Sequence, residues 1–360
     1  MGKADKNGMV RQKYIIQSMV AILFVIAISY SSEEFIPGRL QIQKVIFVIL
    51  AFVGVIGLIY ININHINWKY WTVLDWFCIP FVISTFSTIL IVAVEGDRIG
   101  IIEQSITTTI FLIVDFLVII MLSLFFSHNT AKVLSVSLIG AYIYIIFLKV
   151  KEIGWASTLV QLLNKEIERN DIGVAVVPLI LFFLYNSIVN GKKLKFNWMI
   201  GVLLISLMFF CGKRSAILSL FVGIILIMIC KLLGKFSYYI LKFISCSMII
   251  LCFLYVIFIH FGVLNQLFAN KGTLSDRLSV WKSFDYIYEV SPMYFGKGFG
   301  FVHKYMQAGL GNWMVNKYGY LHNSILQLYI ENGFWGFCMW LIIYFIVIPY
   351  VAIKKYGKSS

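Results

Sequence analysis

Residues 243–262 read FISCSMIILCFLYVIFIHFG, and this stretch decides the class of fold. None of its twenty residues is Asp, Glu, Lys or Arg. A helix needs about 20 mostly apolar residues to cross the hydrocarbon core of a bilayer. Only helices and closed barrels satisfy the backbone in lipid, and a continuously apolar run lacks the alternation of a barrel strand. The stretch therefore predicts a transmembrane helix.

Runs of the same kind recur along the chain. Hydrophobic residues make up 61% of the 360 residues and charged residues 13%, which is about half the charge of an average soluble domain. A water-soluble fold could not bury so much apolar surface in one core, so lipid must cover most of it. The runs that we interpret as spans are 15–32, 43–61, 73–94, 106–127, 133–150, 172–189, 197–212, 215–233, 243–262 and 334–353.

The runs predict an all-α, polytopic integral membrane protein with about ten transmembrane helices in one membrane domain, residues 1–360. No small-residue cleavage site follows the first run, so we interpret it as a retained helix rather than a signal peptide. A large loop, residues 263–323, separates the last two spans. All six cysteines fall in predicted helices, so no disulfide framework or zinc spacing is available, and apolar packing explains them.

The distribution of charge predicts the orientation. With a cytoplasmic N-terminus and alternating spans, the inner segments carry fifteen Lys or Arg and one acid, whereas the outer segments carry fifteen with twelve acids. This bias follows the positive-inside rule, which puts both termini in the cytoplasm and the 263–323 loop outside. The net charge of +14 therefore reflects orientation, and we expect no nucleic-acid partner.

One outer segment, residues 151–171, predicts a helix on the membrane surface. Trp155, Leu159, Leu163 and Ile167 recur every four residues, with charged residues elsewhere on the wheel. That pattern is typical of an amphipathic helix lying in the interface.

The 263–323 loop also predicts structure. Thr273 and Asp276 have capping-box spacing, with Asp in place of the usual Glu or Gln, and predict a helix start. Apolar residues then recur at helical spacing until Pro292: Leu274, Leu278, Trp281, Phe284 and Tyr288. The three glycines that follow, Gly296, Gly298 and Gly300, lack GxGxxG spacing and a flanking strand, so they favour a flexible turn over a nucleotide loop.

Cations on the outer face oppose the topological bias and are therefore informative. Lys213 and Arg214 occupy a tight turn between two spans, Arg277 lies in the loop helix, and Arg169 ends the surface helix. Arginine suits bidentate contact with phosphate, whereas snorkelling to lipid headgroups is the alternative for an isolated pair. Three separate arginine sites on one face favour a phosphate site.

The segment LHNSILQLYIENG adds polar groups at the edge of the membrane. Asn323, Gln327 and Glu331 are spaced by four, so they form one stripe on an otherwise apolar helix, and His322 precedes it. Because an acid inside the membrane is costly, Glu331 indicates function. The second such acid is Asp115, which could pair with an outer arginine or mark an ion path.

Three motifs resemble the O-antigen polymerase and ligase superfamily, which includes the Wzy-type polysaccharide polymerases and the lipopolysaccharide O-antigen ligases. GKRSAILSLFVG resembles its outward arginine turn and small-residue helix. RLSVWKSFDYIYEVSPMYFGKGFGF resembles its outer-loop pattern of Arg, Trp, Pro and glycine-rich turn, and LHNSILQLYIENGFWG its His-Asn, Leu and Glu-Gly signature. ERNDIGVAVVP is a weaker match, and the likeness covers roughly residues 165–340. Members often have more helices than this chain, and here a single full span follows the His motif, so LHNSILQLYIENG is expected to be a short or re-entrant helix.

The resemblance implies a metal-independent glycosyltransferase of the bacterial cytoplasmic membrane that uses no cofactor. Its donor would be a glycan on undecaprenyl pyrophosphate, and its acceptor a hydroxyl on another lipid-linked repeat unit. Arg214 and Arg277 would stabilise the leaving pyrophosphate, with Lys213 and Arg169 in support. His322 would be the general base, since its ordinary pKa of about 6.5 suits proton transfer near neutrality.

The resemblance also implies supporting residues and partners. Trp281 and Tyr320 could stack on sugar rings, although packing is the simpler explanation for Trp281. Asn323 or Glu331 would orient the base, and Gln327 belongs to the same substrate-binding stripe. A chain-length regulator and a flippase of the same pathway are the implied protein partners.

Other functions stay open at this point. A ligase of the same superfamily would transfer finished glycan to another acceptor with the same residues. A transporter or flippase would be expected to have inverted repeats and broken helices at the midplane, whereas the sequence shows Asp115 but no repeat. The sugars, and a role in capsule, O-antigen or exopolysaccharide synthesis, also stay open.

Overall fold

The computed structural model describes residues 71–97, 99–126, 129–163, 170–188, 195–211, 214–268, 273–308, 321 and 323–351, together with 22, 25, 45, 46 and 48–53. Within these ranges the chain is helical and has no β-strand, which confirms the all-α prediction. The predicted spans 15–32 and 43–61 lie mostly outside the described residues.

The described ranges contain twelve α-helices, and the longest described connection between two of them is residues 283–300. They are α1 (Trp71–Glu95), α2 (Ile101–Phe126), α3 (Thr130–Ile153), α4 (Trp155–Leu163), α5 (Asn170–Ile188), α6 (Lys195–Phe210), α7 (Arg214–Leu233), α8 (Ser237–His260), α9 (Val263–Phe268), α10 (Thr273–Lys282), α11 (Phe301–Gln307) and α12 (Ser324–Ile342). A 3₁₀ turn, Gly234–Phe236, precedes α8, and a π-helical turn, Ile343–Val347, continues α12.

Six segments in the described ranges are long and apolar enough to cross a membrane. They are Trp76–Glu95, Ile101–Val118, Thr130–Ile153, Ser215–Leu233, Ser237–His260 and Ser324–Val351. Two shorter apolar helices, Ile172–Ile188 and Met199–Phe210, coincide with the predicted spans 172–189 and 197–212. The protein is therefore a polytopic membrane protein.

The chain divides into two compact units. The first unit comprises residues 1–65 and 114–238, and the second unit comprises residues 66–113 and 239–360. In the first unit, α5 packs against α3, α6 and α7. Its core includes Tyr142, Val176, Ile180, Leu204 and Cys211. Because lipid tails are as apolar as leucine, close packing rather than exclusion from water holds such helices together.

Within the predicted segment 151–171, the first unit has the short helix α4, Trp155–Leu163, and its location on the membrane surface stays a prediction. It follows Gly154, the C-cap residue at which α3 ends. Its side chains Trp155, Leu159 and Leu163 are 63%, 40% and 74% exposed, whereas Thr158 is buried. An exposed apolar stripe of this kind is what a helix lying in the interface presents to lipid. Ile167 lies outside the described residues.

The core of the second unit joins the 263–323 loop to α8 and α12. It includes Val256 of α8, Phe284 and Tyr288 of the loop, and Tyr329 and Phe337 of α12. The Tyr329 ring makes edge contacts with the Tyr288 and Phe337 rings. The 273–308 part of the loop is therefore packed onto α12.

The loop helix α10 is shorter than its apolar pattern predicts. It ends at Lys282, ten residues before Pro292, and turns follow. The Ser283 hydroxyl donates to the Val280 carbonyl oxygen at 2.6 Å, and the Phe284 N–H donates to the Trp281 carbonyl oxygen at 3.0 Å. A serine that bonds the local backbone competes with the helix in this way. Phe284 is nevertheless buried, so the apolar pattern correctly predicts that this residue is buried although the helix has already ended.

Candidate active site

The structure describes part of the site predicted from the sequence. Arg169, Lys213, Tyr320 and His322 lie outside the described residues, and Arg214 begins α7 with its side chain outside them too. Arg277 is an exposed side chain of α10 in the second unit. The second unit also contains four described site residues: Trp281, Asn323, Gln327 and Glu331.

The glycine-rich turn is hydrogen-bonded through its backbone to α12. The Lys297 N–H donates to the Ile330 carbonyl oxygen at 3.0 Å, and the Gly298 N–H donates to the Glu331 carbonyl oxygen at 2.9 Å. The Tyr294 hydroxyl also donates to the Ile330 carbonyl oxygen, at 2.7 Å. The sequence predicted a flexible turn and gave no sign of these hydrogen bonds, which hold residues 294–298 against α12.

Two glycines make this close approach possible. Gly333 has φ 66° and ψ −172°, which breaks α12 into two helical parts, 324–332 and 334–342. A Cβ atom at Gly333 would collide with the backbone of Tyr294 and Phe295, and one at Gly296 would collide with that of Gly333. Within this motif, residues 324–332 are therefore a short helical part of the candidate span Ser324–Val351, and the predicted span 334–353 begins just after the break.

Glu331 caps a helix that lies elsewhere in the sequence. Its side chain is 1% exposed. Oε1 accepts the Val302 N–H at 3.1 Å and the Gln327 Nε2–H at 3.1 Å, and the Gly300 N–H also donates to this carboxylate. Gly300 and Val302 lie at the N-terminus of α11, where no local side chain acts as a cap. The carboxylate therefore supplies acceptors to N–H groups that a helix leaves unsatisfied.

The polar stripe starts with a second cap. The Asn323 Oδ1 atom accepts the Leu326 N–H at 3.1 Å and so caps α12, while its Nδ2 donates to the Tyr255 hydroxyl at 3.2 Å. Gln327 continues the stripe to Glu331. The predicted stripe therefore exists, and it faces the loop and α8. Nothing in the apolar pattern around Tyr255 indicated its part in this network.

Trp281 fixes the chain next to the predicted base. Its indole N–H donates to the Leu321 carbonyl oxygen at 2.8 Å, and the side chain is 6% exposed. Little of the ring is therefore open to a sugar. The two chain neighbours of His322, Leu321 and Asn323, are both held by hydrogen bonds.

Helix α1 supports the glycine-rich turn from another direction. The Phe299 N–H donates to the Thr88 Oγ1 atom at 2.7 Å, and Thr88 is fully buried. Lys297 Nζ lies 3.7 Å from the Glu95 Oε2 atom at the end of α1. Thr88 was not among the residues predicted from sequence, because its partner lies 211 positions away.

Asp285 and Tyr288 form a hydrogen-bonded pair within the loop. The Tyr288 hydroxyl donates to Asp285 Oδ1 at 3.3 Å. Burial raises the pKa of Asp285, an effect that the charge of His260 and the bond from Tyr288 partly offset. Burial and the charge of Asp285 raise the pKa of Tyr288 as well.

The described residues offer no ready metal site. No group of three or more His, Cys, Asp or Glu side chains within them is arranged to hold a metal ion. The functional groups that the described residues place at the candidate site are Arg277 and the hydrogen-bonding side chains of Trp281, Asn323, Gln327 and Glu331. Metal-independent catalysis stays a prediction.

Comparison with known families supports the reading of the three motifs. Residues 199–341 match the family model described as O-antigen ligase. No curated protein and no solved structure matched the chain. The match indicates a function of the O-antigen ligase or polymerase type in a multi-pass membrane protein. Residues 199–341 are therefore similar to the O-antigen ligase family, which agrees with the resemblance of the motifs to the O-antigen polymerase and ligase superfamily.

Proposed function

We propose that this protein is a bacterial polysaccharide repeat-unit polymerase. It transfers a glycan from undecaprenyl pyrophosphate to a hydroxyl of another lipid-linked repeat unit on the outer face of the cytoplasmic membrane, with both of its termini in the cytoplasm. The observation that carries the proposal is the family match at residues 199–341, because it encloses the motifs of Arg214, Arg277 and His322.

The reaction requires a stabilised leaving group and an activated acceptor hydroxyl, and different residues serve each need in the proposal. The acceptor oxygen forms a bond to the anomeric carbon while the bond from that carbon to the pyrophosphate oxygen breaks. Arg214 and Arg277 stabilise the negative charge that develops on the leaving group, with Lys213 and Arg169 in support. The proton of the acceptor hydroxyl passes to His322.

The surroundings of His322 support its part in the proposal. A general base must be held in a fixed position relative to the proton that it abstracts. The Leu321 carbonyl is bonded to Trp281, and the Asn323 side chain caps α12. In the proposal Trp281 and Asn323 position the segment, and Gln327 and Glu331 hold the loop beside it. Tyr320 keeps the proposed role of a sugar-stacking residue.

The test uses purified protein in detergent and lipid-pyrophosphate-linked repeat units, without metal, ATP or sugar nucleotide. The proposal expects a ladder of longer lipid-linked glycans that disappears in Arg214→Ala, Arg277→Ala and His322→Ala. Lys282→Ala and His303→Ala are matched controls, because they remove a cation and a histidine from the same loop and should keep the ladder. Wild-type chain length in all three site variants would reject the assignment.

The ligase alternative is favoured by one observation, the description of the matching family as O-antigen ligase. A ligase would use the same residues with a different acceptor. Deletion of the gene distinguishes the two functions. Short lipid-linked repeats accumulate when a polymerase is lost, whereas long unattached chains accumulate when a ligase is lost.

A further inference from the structure

Three large apolar side chains of the second unit are exposed around a single backbone contact. The Phe334 N–H donates to the Tyr294 carbonyl oxygen at 2.8 Å. Met293 and Phe295 flank one partner and Trp335 follows the other, and they are 79%, 65% and 60% exposed. We name these three residues the outer apolar patch. Exposed groups of large apolar side chains mark interaction surfaces.

Two neighbouring features relate this patch to the segments that are candidates for crossing the membrane. Phe334 begins the last predicted span, directly after the break at Gly333. Lys297, two residues after Phe295, lies 3.7 Å from Glu95, which ends the candidate span Trp76–Glu95. The patch therefore lies beside the end of the candidate span Trp76–Glu95 and beside the break at Gly333, which falls within the candidate span Ser324–Val351 and directly before the predicted span 334–353.

The chemistry of the patch suits the boundary between lipid and water. Tryptophan and tyrosine concentrate at the level of the headgroups, and lysine keeps its ammonium group on the aqueous side. Lys297 and Glu95 supply that charged edge, while Phe295, Met293 and Trp335 supply the apolar part.

We propose that the outer apolar patch inserts into the outer leaflet of the bilayer, so that lipid covers Met293, Phe295 and Trp335. The segment before the glycine-rich turn is then a membrane anchor as well as a connection between α10 and α11. This inference concerns the placement of the loop and does not depend on the reaction that the protein catalyses.

Photocrosslinking tests the proposal in the full-length protein. The photoreactive residue p-benzoylphenylalanine replaces Phe295 in one variant and Met293 in a second, and the proteins are reconstituted in phosphatidylcholine and phosphatidylglycerol vesicles containing an alkyne-tagged phospholipid. Tyr286 is the matched control position, because it is an aromatic residue of the same loop that is 74% exposed and lies outside the patch. We expect several-fold more tagged lipid on the protein at 295 and 293 than at 286.

The possible outcomes separate lipid from protein as the occupant. Equal lipid labelling at 286 and 295, or no labelling at 295 and 293, would overturn the proposal. A crosslinked dimer or another protein adduct at 295, in place of the lipid adduct, would assign the patch to a protein and would overturn it too. All three substituted side chains are exposed, so the variants should keep the unfolding temperature of the wild type in detergent.

Discussion

The Glu331 carboxylate accepts the backbone N–H of Val302 across 29 positions of sequence, at 3.1 Å. This bond joins α11 of the 263–323 loop to α12, the helix that begins two residues after the predicted base. The carboxylate is buried and accepts N–H donors from three residues. It therefore holds this part of the loop against α12.

Glu331→Ala should destabilise the protein strongly. Three donors, on Gly300, Val302 and Gln327, would lose their acceptor inside the protein. Each buried unsatisfied group costs about 1–3 kcal/mol, so we expect a loss of about 2–4 kcal/mol after partial relaxation. Thermal unfolding in detergent measures the effect.

The control for that experiment is Glu289→Ala, which removes an exposed acid of the same loop and should leave the unfolding temperature unchanged. Glu331→Gln keeps one acceptor oxygen, so its unfolding temperature should lie between those of the wild type and the alanine variant. A wild-type unfolding temperature for Glu331→Ala would show that the bonds to α11 contribute nothing.

Gly333→Ala should be destabilising even though alanine favours helices. The added Cβ would collide with the Tyr294 and Phe295 backbone, and the positive φ is unfavourable for alanine. We expect about 1–3 kcal/mol of destabilisation, because a strained backbone position of this kind costs that amount. The unfolding temperature and the yield of folded protein report the change.

Gly201→Ala in α6 is the matched control, since a Cβ there would have nothing within 4 Å. This variant should be neutral or stabilised by about 0.5–1 kcal/mol, because alanine loses less backbone entropy in a helix than glycine. If both alanine variants behaved alike, the close approach of the turn to α12 would not depend on glycine.

The spans were predictable because lipid imposes a simple rule on the sequence. A membrane helix needs a long apolar run and an internal partner for each backbone group. The predicted run 215–233 therefore coincides with the helix Arg214–Leu233, and the run 133–150 lies inside Thr130–Ile153. The break at Gly333 also has a local signal, since an Asn-Gly pair is a frequent turn sequence.

The contacts that organise the site have no comparable signal in the sequence. A threonine in an apolar helix gives no indication that it accepts the Phe299 N–H, which is how Thr88 acts. The stripe of Asn323, Gln327 and Glu331 was visible at four-residue spacing, but its partners Tyr255 and Val302 come from distant segments. Spacing predicts which residues share a helix face, and only tertiary packing decides what that face meets.

Trp281→Phe should lower the rate of transfer more than it lowers stability. The ring is buried and a phenyl group keeps most of its packing, but the bond to the Leu321 carbonyl is lost. One net hydrogen bond is worth about 1 kcal/mol, so the protein should still fold. In the proposed function the segment carrying His322 is then less well positioned, and we expect kcat to fall with KM nearly unchanged.

Trp335→Phe is the control for Trp281→Phe, because it makes the same substitution at a side chain that is 60% exposed. It should keep wild-type kcat. A similar decrease in both variants would show that the bond to Leu321 does not position the site.

Acid should destabilise the protein partly through His303. Burial, together with the positive charge of the neighbouring Lys304, lowers the pKa of His303 below its ordinary value. The unfolded chain then binds a proton more readily than the folded protein in the window between the lowered pKa and about 6.5. Stability contributed by this group is therefore present above about pH 6.5 and is lost as the pH falls through the folded pKa.

His303→Gln removes the titrating group and keeps a polar side chain of similar size. We expect the unfolding temperature of the wild type to fall more steeply than that of the variant between about pH 7 and pH 5, and the two slopes to agree above about pH 7.5. Lys304→Gln removes the second cause of the lowered pKa and should give an intermediate slope. If wild type and His303→Gln lost stability in parallel across the acid range, proton binding by His303 would have no part in acid unfolding, and the buried environment assigned to it would be wrong.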